Sequence, residues 1–299
     1  MRVGAHVSSS GGLGRVPDRV ADLGCSWGQI FLSGPTGWRM APHSDTEIRL
    51  FREKADERQV EGVVAHAIYL INLASPDDRI WSQSIDSLIA YRNLGELLGL
   101  QGIVAHLGSH RKLGFEAVQA RLFEGIASVL SRSEGQVPLL MEVCAGQGGT
   151  IGSRFEEFAS ILSAMGGDGR LGICLDTAHL LAAGFDLTSA DGLDRTIDEI
   201  DRTIGMDRVR VLHANDSKTP LGSQVDRHEN IGDGFIGTEA FSRIVTHPAL
   251  RHFPFILEVP GLDDQGPDTA NVERLRMLGE GRAGSLPVVT TSDTSPSGA

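Results

Sequence analysis

The sequence predicts an α/β protein, a (β/α)8 TIM barrel with a trinuclear metal site at the C-terminal face of its strands. Short apolar runs rich in β-branched residues recur along the chain, each followed by enough sequence for one amphipathic helix and two loops. Short buried strands alternating with helical crossovers pair in parallel. Six consecutive runs also end on or beside a metal-ligand residue: His66, His106, Glu142, Asp176, His213 and Glu258. Strand ends of a parallel barrel surround one axis, so residues in those positions converge.

The elements follow in order. RVGAHV (2–7) and WGQIFL (27–32) read as the first two strands. Then come GVVAHA (62–67), GIVAH (102–106), PLLME (138–142), LGICLD (171–176), RVRVLH (208–213) and FPFILE (253–258). Crossover helices are expected over 13–23, 45–58, 84–99, 114–131, 154–164, 191–205, 238–246 and 269–279, several opened by a Ser, Asp or Thr able to cap the first turn. A chain of 299 residues with 40% hydrophobic content can bury one such core, and a single domain over 1–280 is expected. From 281 to 299 the chain has no aromatic residue and is heavy in Ser, Thr, Gly and Pro, so a disordered tail is expected there.

The net charge of −12 argues against a general polyanion binder. Cys25, Cys144 and Cys174 show no paired spacing, and neither an export signal nor a run of 18 apolar residues appears. A cytoplasmic protein without a membrane partner is the expectation, and a monomer.

One histidine or carboxylate at a strand end is most simply a hydrogen-bonded structural residue, but six in successive units are not. Three carboxylates buried together without a cation would carry a large like-charge penalty. Two local motifs add donors. Asp176-Thr-Ala-His179 sets a second imidazole just past the sixth strand, where the chain is expected to turn into its loop. Asp226-Arg-His228 has i, i+2 spacing, which in an extended segment points both side chains the same way. Five histidines and four carboxylates suit three Zn²⁺ ions with open positions for water and substrate oxygens.

Other features point elsewhere. Gly232-Asp-Gly234-Phe-Ile-Gly237 spells G-x-G-x-x-G but follows a polar loop instead of a strand, which speaks against dinucleotide binding. Gly146-Gln-Gly148-Gly149 reads as a flexible loop after the fifth strand, Cys144 as a packing or supporting residue, and His6 as an orienter of the ligands.

The segments GAHVSSSGGL (4–13), HAIYLINLASP (66–76), HLGSH (106–110), MEVCAGQG (141–148), CLDTAHLLAAGFDL (174–187), HANDSKTPLGSQVDRHENIGDGFIG (213–237) and ILEVPG (256–261) resemble endonuclease IV, the zinc-dependent apurinic/apyrimidinic endonuclease family. The resemblance spans about residues 2–279 and includes all nine donor positions. It implies one zinc held by His66, His106 and Glu142, a second by Glu142, Asp176, His213 and Glu258, and a third by His179, Asp226 and His228. The resemblance leaves room for manganese at some of these positions. It further implies Glu142 as the catalytic bridging residue, with a hydroxide generated between two ions attacking the phosphate. The implied activity is cleavage 5′ to an abasic site, leaving a 3′-hydroxyl and a 5′ deoxyribose phosphate, with cleaning of blocked 3′ ends. The implied partner is double-stranded DNA with abasic sites or 3′-blocked ends, into which Tyr69 and Leu70 wedge. Where the family carries long polar side chains after the second strand, this chain has Ser33-Gly-Pro-Thr-Gly-Trp38. Where it has Asn-Thr after the bridging glutamate, this chain has Val143-Cys144.

The main rival reading is a sugar isomerase or epimerase of the related barrel superfamily, which uses Glu142, Asp176, His213 and Glu258 around one divalent ion. Such an enzyme has no use for five further ligands. A non-catalytic DNA- or partner-binding relic is a third class, disfavoured by the complete donor set.

Overall fold

The computed structural model describes residues 1–282, so the tail expected over 281–299 lies, from 283 onward, outside the described residues. In chain order the strands and helices are β1 (Arg2–His6), α1 (Val16–Asp22), β2 (Trp27–Phe31), α2 (Asp45–Glu57), β3 (Gly62–His66), α3 (Asp78–Leu98), β4 (Gly102–Ala105) and α4 (Phe115–Arg132). They continue with β5 (Leu139–Glu142), α5 (Phe155–Ala164), β6 (Leu171–Asp176), α6 (Thr177–Ala183), α7 (Ala190–Thr203), β7 (Val209–His213), β8 (Asp216–Ser217), β9 (His228–Glu229), α8 (Gly237–Thr246), β10 (Pro254–Leu257) and α9 (Thr269–Gly279).

Among the described residues, eight parallel strands close in the order β1-β10-β7-β6-β5-β4-β3-β2, the predicted barrel. The apolar runs became strands because both of their faces are covered: one packs against helices, the other fills the barrel. Val64, Val104, Leu140, Cys174, Val211 and Ile256 form that filling with Trp27, separate from the larger layer between strands and helices. Glycines make room for it. A Cβ on Gly62 would stand 2.7 Å from the Trp27 ring, and one on Gly102 would stand 2.5 Å from Leu140.

Three elements depart from expectation. Helix α3 begins at Asp78 instead of 84, because the Asp77 carboxylate accepts from Arg79 N and Ile80 N and caps an earlier turn. The segment after β6 is not a loop: Asp176 caps α6 by accepting from His179 N at 2.9 Å. The long stretch between β7 and β10 contains a two-stranded antiparallel ribbon, β8 against β9, pairing Asp216 with Glu229 and Ser217 with His228.

Candidate metal centre

The site is the next layer of the barrel. Side chains alternate along a strand, so the residue two beyond each barrel-filling residue also points inward. Val64 leads to His66, Val104 to His106, Leu140 to Glu142, Cys174 to Asp176, Val211 to His213 and Ile256 to Glu258. The same step carries Trp27 to Gln29. His179 arrives on the first turn of α6, His228 opens the second strand of the ribbon, and Asp226 lies in the segment just before it.

All nine predicted donors meet. Glu142 is central: its Oε2 lies 3.0 Å from His66 Nε2 and 3.5 Å from His106 Nε2, and its Oε1 lies 2.9 Å from His213 Nδ1. Glu258 Oε2 is 3.1 Å from the same His213 nitrogen, and Asp176 Oδ2 is 3.7 Å from it. On the outer side, Asp226 Oδ2 is 3.1 Å from His179 Nε2 and Asp226 Oδ1 is 3.4 Å from His228 Nε2.

Each imidazole presents one nitrogen to the cluster and has the other pinned. His66 Nδ1 donates to Ala67 O at 2.7 Å and His179 Nδ1 to Val143 O at 2.8 Å. His213 Nε2 donates to Gln29 Oε1 at 2.8 Å, while His106 Nδ1 faces Cys144 Sγ at 3.0 Å and His228 Nδ1 faces Glu258 O at 3.4 Å. In the neutral imidazole that a cation requires, this second contact sets the tautomer and aims the lone pair inward.

The donors fit divalent cations. Among the described residues four groups have ligand atoms mutually within 4.8 Å: His66, His106 and Glu142; Glu142, Asp176, His213 and Glu258; Asp176, His179 and His228; and Glu142, Cys174 and His213. The buried Nε2 atoms of His179 and His228 have no well-formed hydrogen bond. Unpartnered nitrogens beside carboxylates suit a cation held between them. The charges are mutually dependent. Burial disfavours the Glu142 carboxylate, yet the neighbouring His106 and His213 hold it well below the ordinary range. Burial likewise opposes charge on His179, and Asp176 and Asp226 overcome it, pushing that imidazole up to about 10.

With this geometry established, comparison with known proteins is decisive. A model described as xylose isomerase-like TIM barrel matches residues 17–280. A protein of Halothermothrix orenii named "Probable endonuclease 4" is 40% identical over 276 residues, covering 92% of this chain and 99% of that protein. One of the same name from Methanoculleus marisnigri is 40% identical over 277 residues, covering 92% of this chain and 98% of its own length. The chain belongs to the endonuclease IV family. The crystal structure of endonuclease IV from Thermus thermophilus superposes with a TM-score of 0.83 at 35% identity, covering 94% of this chain and 100% of that one. D-psicose 3-epimerase from Clostridium cellulolyticum shares the fold alone, with a TM-score of 0.62 at 16% identity, covering 95% of this chain and 96% of that one.

In this endonuclease IV family member a cleft of about 680 Å³ opens beside the donors, lined by Trp38, Tyr69, Leu70, Arg111 and Arg227 among others. Tyr69 stands at the rim, 60% exposed, with its ring edge-on to Phe31 at 5.5 Å and its backbone N donating to Pro35 O. Leu70 behind it is half-buried. The strand-two loop therefore supports Tyr69 through its backbone, while Thr36 is exposed and a Cβ on Gly34 would meet nothing within 4 Å.

Sequence reasoning missed three residues. Gln29, fully buried, donates to Glu258 Oε1 and to His6 Nδ1 at 3.1 Å while accepting from His213. The step of two from Trp27 was the available signal. Asn215 donates to Asp176 Oδ2 at 2.7 Å and accepts from Glu258 N at 2.8 Å. Asp216 explains the glycine-rich loop: its buried carboxylate accepts from the backbone N–H groups of Ser217, Gly232, Gly234, Ile236 and Gly237, so the loop wraps an internal anion. The Gly146–Gly149 segment, expected to be flexible, is a turn tied to its neighbours. Ser109 Oγ donates to Gly148 O, and Gln147 Oε1 accepts from Asp226 N at 3.0 Å. His6, expected to orient the ligands, has its Nδ1 3.8 Å from Glu258 Oε1 and accepts instead from Gln29 Nε2 at 3.1 Å.

Proposed function

We propose that this chain is a DNA-repair phosphodiesterase that cuts 5′ to apurinic/apyrimidinic sites, leaves a 3′-hydroxyl and a 5′ deoxyribose phosphate, and cleans blocked 3′ ends. The observation that carries the reading is the surplus of donors. Four residues would serve a single ion, yet His66, His106, His179, Asp226 and His228 extend the cluster from the barrel axis to the cleft. An epimerase with one ion does not call for that extension. His66, His106 and Glu142 would hold one zinc ion, Glu142, Asp176, His213 and Glu258 a second, and His179, Asp226 and His228 a third, with Asp176 Oδ2, 3.7 Å from His228 Nε2, near enough to share. When bound, the ions would lower the pKa of water and neutralise charge on the phosphate.

The chain's own residues have distinct tasks in this reading. Glu142 supplies the anionic charge shared by the two inner groups, and both of its oxygens are already committed to histidines on opposite sides. Gln29 and Asn215 hold His213, Asp176 and Glu258 against rotation. Arg111 and Arg227 bring positive charge to the cleft of a protein whose net charge is −12, where a phosphate backbone needs it. Tyr69 and Leu70 fill the space vacated when an abasic nucleotide leaves the stack, offsetting the few kcal/mol that extrusion costs. The partner is a damaged duplex. No helix among the described residues is long and apolar enough to cross a membrane.

Metal analysis of zinc-replete protein together with incision of an abasic-site duplex tests the proposal. Three ions per chain and cleavage 5′ to the lesion are expected. One ion per chain without incision would overturn it in favour of the epimerase reading.

A further inference from the structure

The orienting contacts of the five imidazoles differ in kind. His66, His179 and His228 face backbone carbonyls and His213 the Gln29 amide, but His106 faces sulfur, with its Nδ1 3.0 Å from Cys144 Sγ. Sulfur is a weak acceptor, so this imidazole is held by the softest of the five partners. It is also the most exposed of them: its side chain is 24% exposed, against 3% for His66 and 0% for His213.

The thiol itself is fixed on two sides. Cys144 is 2% exposed, its backbone N donates to Gly152 O at 2.9 Å, and its Sγ–H donates to Glu142 O at 3.5 Å. With its hydrogen directed at that carbonyl, the sulfur offers lone pairs to His106 Nδ1–H. His106 Nε2 is then left without a hydrogen, 3.5 Å from Glu142 Oε2 and aimed at the group it forms with His66 and Glu142. The opposite tautomer would put a hydrogen on Nε2 and take His106 out of the donor set. Neighbouring groups of this kind typically change metal affinity about 10 to 100-fold.

We propose that Cys144 is the positioning residue for His106, selecting its Nδ1–H tautomer, and that its soft contact makes the ion held by His66, His106 and Glu142 the one most easily lost. This rests on the metal reading above, and the experiment separates the two. Wild type, Cys144→Ala, Cys144→Val and Cys144→Ser are loaded with zinc and titrated with a chelator while released metal is followed by an indicator. Histidine ¹⁵N spectra of the ion-free proteins report the His106 tautomer. Cys144→Val refills the volume without an acceptor, so it guards against a packing defect in the alanine variant.

In both Cys144→Ala and Cys144→Val, one ion should leave at about tenfold lower chelator while the others leave as in wild type. His106 should become a mixture of tautomers. Cys144→Ser, which restores an acceptor, should return both readouts to wild type or tighten the ion. Unchanged release together with an unchanged Nδ1–H tautomer in the alanine and valine variants would overturn the proposal. If wild type takes up no zinc, the metal reading fails, and the tautomer alone judges Cys144: Nδ1–H in wild type and lost in Cys144→Val supports its role, while a tautomer indifferent to the substitution refutes it.

Discussion

Replacing Gln29 by Leu keeps the volume of a fully buried side chain and removes three polar contacts at once: acceptance from His213 Nε2 at 2.8 Å, donation to Glu258 Oε1, and donation to His6 Nδ1 at 3.1 Å. The decisive loss is at His213, itself fully buried, whose Nε2–H would have no partner. An unsatisfied buried donor costs about 1–3 kcal/mol, and the ring can avoid that cost only by rotating, which takes Nδ1 away from Glu142 and Glu258. Stability and metal affinity should therefore fall together, the first by about 1–3 kcal/mol in ion-free protein, the second by roughly 10 to 100-fold at the group built on Glu142, Asp176, His213 and Glu258. Denaturant unfolding of the ion-free protein and chelator competition on the loaded protein measure the two separately. Gln29→Glu should fail differently, because a new carboxylate beside Glu258 adds like charge while keeping an acceptor for His213. Wild-type stability with wild-type zinc retention in Gln29→Leu would refute the claim that the amide holds the ligand set.

Three further outcomes are expected. Glu142→Gln should retain the fold, since almost no volume changes, yet lower incision at least about 100-fold by removing the charge shared by two ion groups; near-wild-type turnover of the zinc-loaded variant would take Glu142 out of the mechanism. Tyr69→Ala should weaken binding to an abasic duplex by about 1–3 kcal/mol while leaving intact duplex nearly unaffected, because the ring stacks only where a base is missing; equal losses on both DNAs in a titration would show that Tyr69 is no wedge. Hydrogen bonds from Thr188 and Ser189 hold the Asp186 carboxyl down at about 2, despite some burial. A depressed carboxylate stabilises above its unfolded pKa and loses that contribution as pH falls through the folded one, so Asp186→Ala should cost about 1 kcal/mol at pH 7 after allowing for solvent screening, with the difference shrinking below pH 4; a pH-independent difference in unfolding free energy would contradict this.

The barrel and most of its site were legible because both depend on short-range pattern. A run such as Leu139–Glu142 is apolar up to its last residue, and that last residue points where the preceding inward side chain pointed. Repetition over six units makes convergence a consequence of topology. The ribbon that delivers His228, with Asp226 just before it, was legible only as a spacing, since Asp216 on its first strand gathers four amides from a loop up to 21 residues away. Helix α6 escaped notice because Asp176 has two tasks: Oδ1 caps the helix while Oδ2 faces His213 and His228, and a reading of Asp176 as ligand leaves no sign of the cap.

The parallel barrel, the face that carries the site and the nine residues that could serve it follow from local pattern, because alternation along a strand and the length of a crossover are properties of consecutive residues. The tertiary structure alone decided which nitrogen of each histidine faces inward, that Gln29 and Asn215 brace the ligands, and that Cys144 is His106's partner. Those contacts join residues such as Gln29 and His213, 184 positions apart, and they exist only once the barrel has closed. Closure brings side chains from non-adjacent strands to within a few ångströms of one another, and no local pattern along the chain records that distance.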